Sequence, residues 1–199
     1  MMADVQRLET GNGPRAAILN AAMRLFGKQG YTGTSIRDLA TEVGVLPGSL
    51  YAHIQSKEAL LVEIVADGIH RFITAVEPHA HGAGSPVDRL RAMIVAHVEV
   101  VAENPERSLV VFHQWRFLGE SSLPAAIERR QVYEGCFIKV MEEGVGQGLF
   151  KPEINQRIAV FTILGALNWT PEWLSPDGRL TAQEVGSLMA ETLLRGVLA

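Results

Sequence analysis

Apolar residues recur at three- and four-residue intervals in nearly every window of the chain. Strict apolar–polar alternation persists nowhere, so the pattern predicts an all-α fold of about nine helices. Residues 1–12 read as a polar tail. The first helix opens at Pro14, whose missing amide needs no partner in a first turn, and it carries Ile18, Ala21, Ala22, Leu25 and Phe26 on one side until Gly30 stops it. Ser35 and Asp38 have the spacing of a capping box ahead of a second helix, whose buried stripe is Ile36, Leu39, Ala40 and Val43. Gly44 supplies the positive φ that a sharp exit needs. Val45-Leu46-Pro47 opens a very short third helix that ends near Ile54, with Leu50 and Ile54 turned inward. Ser56 caps a fourth, which runs to about Val76.

Pro78 to Pro86, with Gly82 and Gly84 between them, reads as a loop. Beyond it the spacing predicts helices near 86–103, 105–118, 124–147, 153–170 and 181–198. Gly148-Leu149 has the form of a Schellman end, the leucine folding back on the last turn. Ser175-Pro176-Asp177-Gly178 is turn chemistry, and Thr181 with Glu184 forms a second capping box.

With 199 residues, 47% hydrophobic and 20% charged, the chain can bury a sizeable core, which excludes disorder as its main state. Cys136 is alone, so neither an internal disulfide nor a thiolate zinc cluster is available, and a reducing compartment is expected. The first residues lack the apolar core of a signal peptide, and the run Ile158 to Leu167 is half a membrane span. The expectation is a cytoplasmic protein without a membrane partner. A net charge of −4 argues at first against nucleic acid, but residues 1–60 hold six Lys and Arg against five Asp and Glu, a balance of +1. The remainder holds 12 against 17, a balance of −5, so any anionic polymer should meet the N-terminal third through few ionic contacts.

Two helices joined by a glycine turn, the second short and led by small residues, are the makings of a helix-turn-helix. Leu25-Phe26, Gly30-Tyr31, Thr34 through Ala40, Val43-Gly44-Val45, Pro47-Gly48-Ser49-Leu50-Tyr51, His53 and Ser56 through Leu61 resemble, in order and spacing, the DNA-binding domain of the TetR family of bacterial transcription regulators. The resemblance implies a DNA-binding domain over 13–58 and a ligand-binding and dimerisation domain over 59–199, with double-stranded DNA as partner. Pro47 needs no amide partner and Gly48 cannot hold the backbone away, so this end can enter a major groove with Ser49 at a base edge or phosphate. Tyr51 and His53 present polar tips to the duplex backbone. Lys57 adds its charge to free amides at a helix start, and Thr34 and Ser35 offer hydroxyls and amides to a second phosphate. The chain departs from the family pattern at Leu46, where many relatives have a capping Ser or Thr, and at Ile54, where Phe is common.

The C-terminal part, above all Leu164-Gly165-Ala166-Leu167-Asn168-Trp169 with Trp173, Pro176 and Gly178-Arg179-Leu180, looks like the subgroup that regulates fatty-acid and steroid catabolism. That resemblance implies a small-molecule effector, an acyl-coenzyme A thioester or another large apolar ligand. Candidates to line its pocket are Phe112, Trp115, Asn168, Trp169 and Trp173, with Arg116, Arg129 and Arg130 as cations for phosphates. Pro171 should kink or end the helix between the two tryptophans. Ile158, Phe161, Thr162, Gly165 and Ala166 on one helix, and Val185, Leu188, Met189, Thr192 and Gly196 on the last, form faces suited to a four-helix homodimer interface. The helix from Ser56 to Val76 is the expected lever between effector and DNA.

Other signals carry little. Gly144-x-Gly146-x-Gly148 has the wrong spacing for a dinucleotide loop, His79-Ala80-His81 has no third metal ligand nearby, and Cys136 reads as a small buried residue. No nucleophile elbow, zinc-protease or Walker motif occurs, so neither catalysis nor a cofactor is expected. The reading is a dimeric, ligand-responsive repressor. Its alternatives are a DNA-binding regulator whose pocket is filled by its own side chains, and a helical carrier or enzyme.

Overall fold

A computed structural model describes residues 13–175 and 178–199. The polar tail and the Pro176-Asp177 centre of the predicted turn lie outside the described residues. The chain is all-α: α1 (Pro14–Gln29), α2 (Ile36–Val43), α3 (Pro47–Leu50), α4 (Lys57–Ala80), α5 (Pro86–Glu103), α6 (Pro105–Leu109), α7 (Leu123–Gly146), α8 (Gln156–Asn168) and α9 (Ala182–Val197). Among the described residues the one extended pairing is an antiparallel bridge between Phe150 and Leu198.

The described residues divide into two compact units, 13–68 with 106–126, and 69–105 with 127–175 and 178–199. In the first, α1 buries Ile18, Ala21, Ala22 and Phe26 with Leu39 and Ala40 of α2, Leu50 of α3, and Leu60, Leu61 and Ile64 of α4. The capping box forms as spaced. The Asp38 amide donates to the Ser35 hydroxyl at 3.2 Å and the Ser35 amide to the Asp38 carboxylate at 2.7 Å, which holds that carboxyl below its ordinary pKa. Gly44 closes α2 at φ 80°, ψ 33°, a left-handed conformation that a side chain would strain.

The segment 105–118, predicted as one helix, is three pieces: α6, a π-helical turn at Val110–Gln114 and a 3-10 turn at Trp115–Phe117. Val110, Val111 and Phe112 are all buried. Three successive residues cannot all face one side of a regular α-helix, and the wider turn brings them inward together. The Gln114 side chain then accepts the Tyr31 amide proton at 2.9 Å, and Glu58 accepts that of Gly119 at 3.0 Å.

In the second unit α5 packs on α9, whose Gly186 lies so close to Val95 that a methyl there would sit 2.9 Å from the Val95 Cα. The predicted loop begins later than Pro78, because α4 continues through that proline to Ala80. Val76 and Ala80, one turn apart, are fully buried, and buried Arg89 donates to the freed Ala80 carbonyl at 3.0 Å while its other arm pairs with Glu143. Burial and a cap outweigh one missing amide. At the end of α7 the Leu149 amide donates to Gly144 O at 2.9 Å and the Gly148 amide to Val145 O at 3.0 Å, with Gly148 at φ 71°, a Schellman end. The Phe150 side chain also folds back there, its ring resting on the bare Cα of Gly144. α8 stops at Asn168, and Pro171 sits in a 3-10 turn, Thr170–Glu172, so Trp169 and Trp173 do not share a helix face.

Candidate nucleic-acid interface

The α2–turn–α3 motif ends in an exposed tip. Leu46, Pro47, Gly48 and Ser49 are all exposed, and nothing lies within 4 Å of the side on which Gly48 would carry a Cβ. Leu50 and Ile54 point inward beneath them and fix which side of the four-residue helix faces out. Tyr51 is 57% exposed and His53 is exposed, so both polar ends are on the surface of this unit. Ser35 is exposed as well, with its hydroxyl closing the capping box of α2.

Two expected contacts are placed differently. Thr34 is 1% exposed; its hydroxyl donates to Gly30 O at 2.8 Å and is not offered at the surface. The Lys57 ammonium donates to the carbonyls of Tyr31 at 2.8 Å and Thr34 at 2.7 Å and stands 4.1 Å from the centre of the Tyr31 ring. Partial burial holds its pKa below the ordinary value. Lys57 thereby ties the start of α4 to the α1–α2 loop, and the Tyr31 ring in turn stacks on Phe117, with centroids 6.1 Å apart. No local pattern announces this clamp, because the carbonyls it holds are 26 and 23 residues away and have no side-chain signature.

The effector candidates are divided between the units. In the first, Phe112 is buried, and the exposed Arg116 guanidinium lies 5.5 Å from the centre of the Trp115 ring. In the second, Arg130 and Asn168 are half-buried, and the Asn168 amide oxygen is buried without a hydrogen-bond partner. Trp169 is 58% exposed, and Trp173 lines a shallow apolar groove with Ala166, Leu180, Val185, Leu188 and Met189. Trp173 therefore shares a surface with the dimerisation candidates. Of these, Ile158, Phe161, Thr162, Gly165, Leu188, Thr192 and Gly196 are exposed on α8 and α9, Ala166 and Met189 are half-buried, and Val185 is buried at the floor of the same groove.

The interior of the second unit holds a ring cluster. The Tyr133 hydroxyl is 2.6 Å from His97 Nδ1, and the His97 ring packs on Phe72 at 4.7 Å between centroids. Burial pushes the His97 pKa down to about 3, against a backbone hydrogen bond to Leu167 that raises it, and it pushes Tyr133 up. His97 is neutral at physiological pH. Among the described residues no group of three or more His, Cys, Asp and Glu side chains is placed to hold a metal ion, and no helix is long and apolar enough to cross a membrane.

A capped helix, a glycine turn and a short helix with a small-residue tip, joined to a larger helical unit, define a helix-turn-helix transcription regulator. The chain belongs to the tetR family of bacterial regulatory proteins: residues 18–64 match that family's N-terminal profile, and 83–197 match the tetracyclin repressor-like C-terminal domain. It is 29% identical over 196 residues to the transcriptional repressor KstR2 of Rhodococcus jostii, covering 94% of this chain and 92% of that protein. The ketosteroid transcriptional regulator KstR2 of Mycobacterium tuberculosis has the same fold, with a TM-score of 0.87, 24% identity, and coverage of 94% of this chain and 96% of that one. A structure of AibR in complex with isovaleryl coenzyme A and operator DNA superposes with a TM-score of 0.79 at 29% identity, covering 90% of this chain and 97% of that one. The family and these relatives are transcription regulators, not enzymes.

Proposed function

We propose that the protein is a cytoplasmic, homodimeric repressor that binds a near-palindromic operator and leaves it when an acyl-coenzyme A thioester binds the C-terminal domain. The observation that carries the DNA half is the uncovered Pro47-Gly48-Ser49 tip with Tyr51 and His53 beside it. Ser49 meets a base edge or phosphate, Tyr51 and His53 meet the duplex backbone, and Ser35 with the first amides of α2 takes a second phosphate. Lys57 and Thr34 act through the loop they hold.

Dimerisation is supported by the apolar surface of α8 and α9, where Ile158, Phe161 and Leu188 are 60%, 41% and 52% exposed. A patch of this kind on a single chain is what a four-helix interface covers. The effector class rests on the likeness to AibR, whose complex holds isovaleryl coenzyme A, and on the steroid-regulating relatives. Within the second unit Asn168, Trp169 and Trp173 are its proposed amide and apolar contacts, with Arg129 and Arg130 for its phosphates. A decisive shift of the DNA-bound population needs about 5 kcal/mol of differential affinity, so the ligand must touch something that moves, and α4 is the element assigned to that role. A second reading, a regulator with no effector, is supported by the Phe72–His97–Tyr133 packing that already occupies the interior of the second unit.

The test is a titration of the protein–operator complex with acyl-coenzyme A esters of short, long and steroid-derived chains, read by DNA anisotropy and by calorimetry on free protein. Release by one class, with free coenzyme A inert, is expected. DNA binding unaltered by every ester, with no heat of binding, would select the second reading.

A further inference from the structure

Leu46 is 76% exposed, the most exposed of the large hydrophobic side chains among the described residues. A single leucine on an arbitrary surface needs no explanation. This one stands at the N-cap of α3, with extended backbone at φ −72°, ψ 145° and no side-chain bond to the helix it precedes. A serine or threonine here would accept an amide proton of the first turn, a contact usually worth about 1 kcal/mol, and leucine forgoes it. Its neighbours cannot shelter it: Pro47 and Ser49 are short, and Gly48 has open space beside it. The longest side chain of the tip is therefore apolar, uncovered, and at the end of the motif that enters the groove.

A major groove presents hydrogen-bonding edges and one apolar group, the C5-methyl of thymine. Leucine can neither donate to nor accept from the edges, so seated on them it would leave polar atoms without water or partner. We propose that Leu46 reads a thymine methyl in each operator half-site and is a specificity-determining residue of this chain. The proposal rests on the major-groove docking given above. It assigns sequence choice to a side chain whose loss as a helix cap is its evident cost, beside a serine that hydrogen-bonds.

An operator selected from random duplexes is the substrate for the test. Each thymine is replaced in turn by deoxyuridine, symmetrically in both half-sites, which removes the methyl and leaves every hydrogen-bonding group in place. Affinities of the full-length protein and of Leu46→Ala are measured by anisotropy at one salt concentration. The wild type should lose about fourfold per half-site at one thymine position, the worth of one buried methyl, and Leu46→Ala should bind thymine and uracil there equally. Leu46→Met, which keeps an apolar reach, should retain part of the discrimination. Because the side chain is exposed, all three proteins should unfold at the same denaturant concentration. Uracil sensitivity that is absent in the wild type, or unchanged in Leu46→Ala, overturns the proposal. So does a uniform loss in Leu46→Ala at every sequence, which would place the leucine on sugar or phosphate. Failure to select any operator would instead strike the docking on which the proposal rests, and the proposal would fall with it.

Discussion

His97 stays neutral because the protein interior cannot solvate an imidazolium, and its pKa near 3 lies far below its ordinary 6.5. Between those values the unfolded chain binds a proton that the native chain refuses, so stability must fall as the pH falls through that window. From about pH 7 to pH 5 the loss should be about 2 kcal/mol, read as a shift of the urea midpoint. His97→Gln should remove most of that slope; a variant as pH-sensitive as the wild type would clear His97 of the effect. Lys57 and Tyr51 make a second pair of expectations at this scale. Two charge-assisted hydrogen bonds and a ring contact make Lys57 a clamp, so Lys57→Met should cost about 1–3 kcal/mol of stability. Tyr51→Phe, exposed, should leave stability unchanged and weaken DNA binding across all sequences. Full stability in Lys57→Met with lost DNA binding would return the ammonium to a phosphate.

At the scale of elements, what could be read in the sequence was local chemistry. Ser35 with Asp38, Thr181 with Glu184, Gly44 and Gly148 announce helix ends through partners at most five residues away, and all four ends form as spaced. Departures arose where a distant partner decided. Arg89 reaches back to cap α4 beyond Pro78, and packing on three consecutive apolar residues opened the π-helical turn after α6. Trp173 joined the α8–α9 surface because Pro171 turned the chain between it and Trp169. The exposed Leu46–Ser49 tip was readable for the same local reason that the caps were; the Lys57 clamp and the burial of Thr34 were not. Phe150 on Gly144 allows a contrast within one helix. Alanine normally favours a helix over glycine by about 1 kcal/mol, and Gly135→Ala, with nothing within 4 Å, should gain part of that. Gly144→Ala would drive a methyl into the Phe150 ring and should instead cost about 1–3 kcal/mol. Thermal unfolding of the two variants checks this, and equal effects would contradict the packing.

For the whole molecule, charge sets the terms of DNA binding. A balance of +1 over residues 1–60, beside −5 over the rest, leaves one protomer with few phosphate contacts and an acidic remainder. Twofold symmetry doubles each contact and places two tips one helical turn apart, about 34 Å, which a single chain cannot do. In the proposed dimer the exposed apolar residues of α8 and α9 are the means of pairing, and the tip of α3 is what pairing would repeat. The most direct test is selection of duplexes from a random pool by the full-length protein, with the stoichiometry of the selected complex measured by analytical ultracentrifugation. The account predicts an inverted repeat whose half-sites bind an even number of protomers. An asymmetric site occupied by one protomer, or a pool with no enriched sequence, would contradict it.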